Sequence, residues 1–72
     1  MNEMDITKRF STAITRWRKR LGMNAQEFAD FVGTSENTIY NYENGRCMPH
    51  LYTAMLIAEK LGVTLDGLLR GE

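Results

Sequence analysis

One cysteine, one histidine and one proline are spread over 72 residues, and each scarcity removes a class of protein. Cys47 has no second cysteine in the chain to pair with. With His50 it falls well short of a four-ligand zinc pattern, so no metal and no cofactor are expected and Cys47 reads as a loop thiol. No apolar run approaches the ~20 residues of a membrane span. The N-terminal stretch mixes acids and bases without an apolar segment, so no signal peptide is expected and the location expected is cytoplasmic. Nine basic and nine acidic residues cancel, which withholds the strong non-specific attraction that basic proteins have for phosphate. A chain this short forms one domain that buries only roughly 60% of its unfolded surface. It offers no paired catalytic groups on a concave surface, so no enzyme is expected.

The charges that are present are segregated. Lys8, Arg9, Arg16, Arg18, Lys19 and Arg20 all lie in the first helical segment, while Arg46, Lys60 and Arg70 are scattered beyond it. Apolar residues recur at three- and four-residue steps throughout, with no strand-like alternation, and divide the chain into five helices. Residues 1–5 read as a short tail and 6–72 as a single domain. Asp5 is the expected N-cap of the first helix, whose apolar side carries Ile6, Phe10, Ala13, Ile14, Trp17 and Leu21 before Gly22 stops it. Trp17 is expected to anchor in the core.

Asn24 followed by Glu27 is a capping-box pattern that opens a second helix, with Phe28, Ala29 and Val32 inward and Gly33 as its stop. Ser35 caps a third helix in which Ile39 and Tyr42 face inward. After the loop through Arg46, Cys47, Met48 and Pro49, a fourth helix places Leu51, Ala54, Met55, Ala58 and Leu61 on one stripe. Gly62 ends it, and Thr64 caps a last short helix containing Leu68 and Leu69.

Gly33 to Gly45, GTSENTIYNYENG, is the most specific stretch. It is a short helix fenced by glycines and preceded by another that ends at the same Gly33, the pattern of a helix-turn-helix formed by helices 2 and 3. Glu36, Asn37, Tyr40 and Asn41 project outward from it, with Asn44 at its end. An Asn amide can bond adenine N6 and N7 together, and a carboxylate can accept from cytosine N4, so this face suits base edges in a major groove. Asn24, Gln26, Asn44 and Arg46 surround it and suit phosphates. Ordinary alternatives stand beside these readings: Asn37, Tyr40 and Asn41 also suit plain solvated helix surface, Asn24 caps its helix in any case, an acid such as Glu36 is stabilised by a helix N-terminus without DNA, and the run from Arg16 to Arg20 reads as a solvated helix face.

From about Ile6 to Gly71, the order and spacing of RKRLGMNAQEFADFVGTS, NTIYNYENG, Pro49 and IAEKLGVTLDGLL resemble the Cro and phage-repressor type of helix-turn-helix domain, the xenobiotic-response-element family. The resemblance implies an all-α, compact five-helix lambda-repressor-like DNA-binding domain, a repressor by default, acting as a homodimer on an operator with two-fold related half-sites. It places Ser35, Glu36, Asn37 and Asn41 at the cap and base-reading positions. It also matches Arg18 and Glu43 to a structural salt bridge between the first and third helices. Two positions depart from the pattern: Ala25 stands where Gln is usual, with Gln26 one place later, and His50 stands where Ser or Asp usually caps the fourth helix.

Phe31, Met48, Tyr52 and Leu56 are apolar residues that this core leaves outward, a surface suited to a partner subunit. Two functions from different classes fit these residues. One is a sequence-specific regulator, dimeric at least on double-stranded DNA. The other is a protein-interaction or antitoxin-like module on the same scaffold, favoured by the neutral charge, Ala25 and the acids near the reading helix.

Overall fold

A computed structural model describes residues 2–71, and among these it contains five helices and no strand. They are α1 (Glu3–Arg20), α2 (Ala25–Val32), α3 (Glu36–Glu43), α4 (Leu51–Leu61) and α5 (Leu65–Arg70). α1 packs on α3 and on α5, α2 on α3 and α4, and α4 on α5, so every helix touches at least two others.

The caps explain most boundaries. Asn24 Oδ1 accepts from the Glu27 amide at 2.8 Å while Glu27 Oε1 accepts from the Asn24 amide at 2.9 Å, a complete capping box. Ser35 Oγ accepts from the Thr38 amide, and Thr64 Oγ1 from the Gly67 amide at 2.9 Å. Gly33 closes α2 with φ of 86°, and its amide and that of Thr34 both donate to the Ala29 carbonyl. A Cβ there would meet nothing within 4 Å. It is the left-handed backbone, not space, that calls for glycine at this turn.

The start of α1 differs from the expectation. Asn2, not Asp5, is the N-cap: its Oδ1 accepts from the Asp5 amide at 2.9 Å. Asp5 therefore sits in the first turn beside Glu3, where acids meet the positive end of the helix dipole. Residues 3–5, expected in a tail, are helical; Met1 of that tail and Glu72 at the end of the expected domain lie outside the described residues.

Phe10, Ile14, Phe28, Ile39, Ile57 and Leu68 are the large side chains fully enclosed in the core. Phe10 and Tyr42 meet edge to face with ring centroids 5.3 Å apart, which ties α1 to α3. Trp17 is only partly buried against this core, and the Arg20 guanidinium lies 4.8 Å over its ring, so it is a lid rather than an anchor. Leu21 is exposed.

α4 departs further from the expected stripe. Its buried residues are Ala54, Ile57 and Ala58, with Leu61 partly buried, while Leu51 is 67% and Met55 55% exposed. Because α4 is apolar on nearly every side, its periodicity does not select a face. His50 at its N-cap makes no side-chain capping bond.

Burial holds the Tyr42 phenol above its ordinary value of 10.0, with the nearby Cys47 sulfur adding to the effect. As pH rises through about 10 the unfolded chain loses this proton first, so it binds fewer protons than the native state and stability falls with pH. Tyr42→Phe should flatten that alkaline fall. Urea midpoints of both proteins at neutral pH and above pH ~10 measure it, and parallel pH profiles would contradict the assignment.

Candidate nucleic-acid interface

α3 is held from beneath by two apolar side chains, Ile39 and Tyr42, which are 0% and 5% exposed. Its C-terminal end is fixed by polar bonds to α1. Arg18 Nε donates to Glu43 Oε2 at 2.7 Å and Nη2 to Glu43 Oε1 at 3.1 Å, a two-point fork, while Nη1 donates to the Met23 carbonyl at 3.2 Å. The hydrogen bond to Glu43 raises the Arg18 pKa, with burial working against it. Ser11 Oγ donates to the Glu43 carbonyl.

Ser11 and Met23 were not singled out from the sequence. The signal for Ser11 was available: it lies seven residues before Arg18, two turns along the same side of α1. The Met23 carbonyl, a backbone group, carries no sequence signal.

On the opposite side of α3, Glu36, Asn37, Tyr40 and Asn41 share one face by their spacing. Asn37 and Tyr40 are exposed and the other two partly so. Tyr40 Oη donates to Glu36 Oε2 across a long 3.5 Å contact, so the carboxylate has a phenol beside it, one turn along. Asn44 is the exposed C-cap of α3. The Arg46 amide donates to the Asn41 carbonyl at 2.9 Å, which folds the following loop back onto α3 and keeps exposed Arg46 near the end of that face.

At the start of α2, Asn24 and Gln26 are exposed, but both already have local work. The Asn24 side chain caps α2, and Gln26 Nε2 donates to Asp30 Oδ1 at 2.9 Å. Gln26 is therefore turned along its own helix.

Electrostatically, this face has little cationic character. Of the acids on α2 and α3, Glu43 is neutralised by Arg18, whereas neither helix carries a Lys or Arg of its own to offset Glu27, Asp30 and Glu36. Phosphate attraction is consequently weak here, and any selectivity must come from hydrogen-bonding side chains.

The expected partner residues are placed outward: Phe31 39%, Met48 38%, Tyr52 74% and Leu56 40% exposed. Leu51 and Met55, missed as outward residues, join Tyr52 and Leu56 on α4. No group of three or more His, Cys, Asp or Glu capable of holding a metal occurs among the described residues. No helix there is long and apolar enough to cross a membrane.

A helix-turn-helix family model matches residues 14–68. An uncharacterized HTH-type transcriptional regulator of Methanothermobacter thermautotrophicus is 43% identical over 51 residues, 71% of this chain and 74% of that protein. The SPbeta prophage-derived uncharacterized HTH-type transcriptional regulator YonR of Bacillus subtilis is 34% identical over 62 residues, 86% of this chain but only 57% of that protein. Among solved structures, an HTH_3 family transcriptional regulator from Vibrio cholerae superposes with a TM-score of 0.84 at 18% identity, covering 99% of this chain and 40% of that one. At that identity the likeness is one of fold.

Proposed function

Because the chain belongs to the helix-turn-helix family, we propose that it is a DNA-binding transcriptional regulator that inserts α3 into the major groove of an operator and represses by occupying it. The observation that carries this reading is the division of α3. One side is locked to the body by Ile39, Tyr42 and the Arg18–Glu43 fork, and the other presents Glu36, Asn37, Tyr40 and Asn41 together. A rigid support and a projecting amide face are what base-edge recognition needs.

In this reading Asn37 and Asn41 read bases, Tyr40 and Glu36 flank them, and Asn24, Gln26, Asn44 and Arg46 position the backbone. Gln26 must leave Asp30 to reach a phosphate, so its contribution is the smallest of the four. A few base contacts of ~1–3 kcal/mol each bind weakly alone, which supports two copies on two-fold related half-sites. The transcriptional-regulator names of the relatives support a regulator rather than an enzyme.

Selection of bound sequences from random DNA tests the reading, with a two-fold symmetric motif expected. Asn41→Ala should then lose ~1–2 kcal/mol of discrimination, a factor of roughly 5–30, at one base position per half-site, with other positions retained. A uniform loss across all sequences would remove Asn41 from the base-reading set. Failure to enrich any motif at low salt would leave the second reading, a protein-interaction module, which the apolar residues outside the core favour.

A further inference from the structure

The four large apolar residues that α4 leaves outside the core are Leu51, Tyr52, Met55 and Leu56, exposed by 67, 74, 55 and 40%. Their spacing puts them on one side of the helix, and Glu59, also exposed, extends that side toward the C-terminus. The other end of the helix is electrostatically opposite. α4 has no acid in its first turn and no side-chain cap at His50, so its N-terminal amides present uncompensated positive potential. The face is therefore apolar in the middle and positive at its N-terminal end, with Glu59 at the other end and the exposed Lys60 beside it at the edge, one turn beyond Leu56.

We propose that this face binds a second copy of the chain through antiparallel pairing of α4 with α4. A two-fold axis crossing the helix between residues 53 and 54 sets Leu51 against Leu56 of the second copy and Tyr52 against Met55 of the second copy. The same axis carries Glu59 to the N-terminal turn of the other α4, beside His50. Each end thus supplies what the opposite end lacks, as an isologous interface requires. No foreign partner is needed to explain the polarity.

Size also points to a second copy. Four side chains exposed to this degree offer on the order of 400–500 Å² per copy, below the ~800 Å² per partner of a firm complex. Such an interface is weak alone and becomes effective when both copies are held near each other. Half-sites one helical turn apart hold two domains about 34 Å apart, and the longest extent of this domain is 31 Å, so neighbours on DNA come within contact. The inference rests on the two-copy reading above for its role on DNA, but the interface itself is testable without DNA.

Sedimentation equilibrium of the full chain over the micromolar to millimolar range should show a reversible monomer–dimer equilibrium. Met55→Glu and Leu56→Glu should each weaken it at least ~10-fold with unchanged helicity by circular dichroism, while Met4→Glu, an exposed residue on α1, should leave it unchanged. Glu59→Lys should weaken it several-fold, and so should His50→Asp, which caps α4 but repels Glu59 of the second copy. In a Cys47→Ser background, a mixture of Leu51→Cys and Leu56→Cys chains should form mixed disulfides in preference to either self-pair.

A chain that stays monomeric to millimolar concentration overturns the proposal, as does a dimer indifferent to Met55→Glu and Leu56→Glu. Self-pairing of Leu51→Cys in preference to the mixture overturns the antiparallel arrangement. Failure of the DNA reading is recognised separately, by a random-sequence selection that enriches nothing while the dimer equilibrium persists.

Discussion

Ile39→Ala is expected to lower the free energy of unfolding by about 2–5 kcal/mol, the usual range for a fully enclosed aliphatic side chain. Ile39 is 0% exposed, and α3 has only one other buried residue, Tyr42. An isolated eight-residue helix is not stable in water, so α3 owes its existence to these two anchors and to the bonds at its C-terminal end. A domain of 72 residues has a total stability of roughly 4–11 kcal/mol, so the loss removes a large share of it. Urea denaturation followed by circular dichroism measures the effect. A loss under about 1 kcal/mol would mean that α3 is held chiefly by its polar contacts.

The same anchoring explains why α3 is legible in the sequence. Ser35 at its start, Ile39 and Tyr42 three residues apart, and glycines on both sides are short-range signals with one physical reading each. The capping box of α2 and the Thr64 cap of α5 are of the same kind. Where local signals compete, the sequence is less decisive. Asn2 and Asp5 are both good caps, and the earlier one wins because its oxygen reaches the Asp5 amide, turning the other into a first-turn acid.

α4 shows a different limit. With Leu51, Tyr52, Met55, Leu56 and Ile57 in one helix, no apolar moment distinguishes core from surface, and only the packing of α2 and α5 against it decides. Gln26 shows a third, because a side chain that fits a phosphate also fits Asp30 one turn on, and an isolated sequence does not order those two bonds. The side that α3 turns away from the core follows from its two buried residues, Ile39 and Tyr42, and leaves Asn37 and Tyr40 exposed and Glu36 and Asn41 partly so. Which bases it would meet, in the reading proposed above, depends on a molecule outside the chain.

Glu43→Ala carries the second large effect, about 2–3 kcal/mol of destabilisation. The side chains of Arg18 and Glu43 are 22% and 15% exposed, so the pair lies between the solvated regime, where ion pairs contribute less than about 1 kcal/mol, and the buried one, where breaking a pair costs about 3–5 kcal/mol. Geometry moves it toward the latter: two charge-assisted bonds in a fork would be lost together, and the guanidinium would keep only the Met23 carbonyl. Asp66 and Arg70 give an internal contrast, since their contact at 2.9 Å joins side chains 76% and 62% exposed, and Asp66→Ala should cost far less. Replacing both partners, Arg18→Met with Glu43→Leu, should recover much of the loss, because no charge is then left without its counterpart. A full cycle of single and double variants in urea separates the two accounts: a coupling energy near zero would make the fork a surface decoration. On DNA the outcome has a sign of its own. In the DNA-binding reading proposed above, Glu43→Ala would tighten binding if Glu43 merely repelled phosphate; if Glu43 aims α3, its removal should weaken binding and blunt the base preference proposed for Asn37 and Asn41 together.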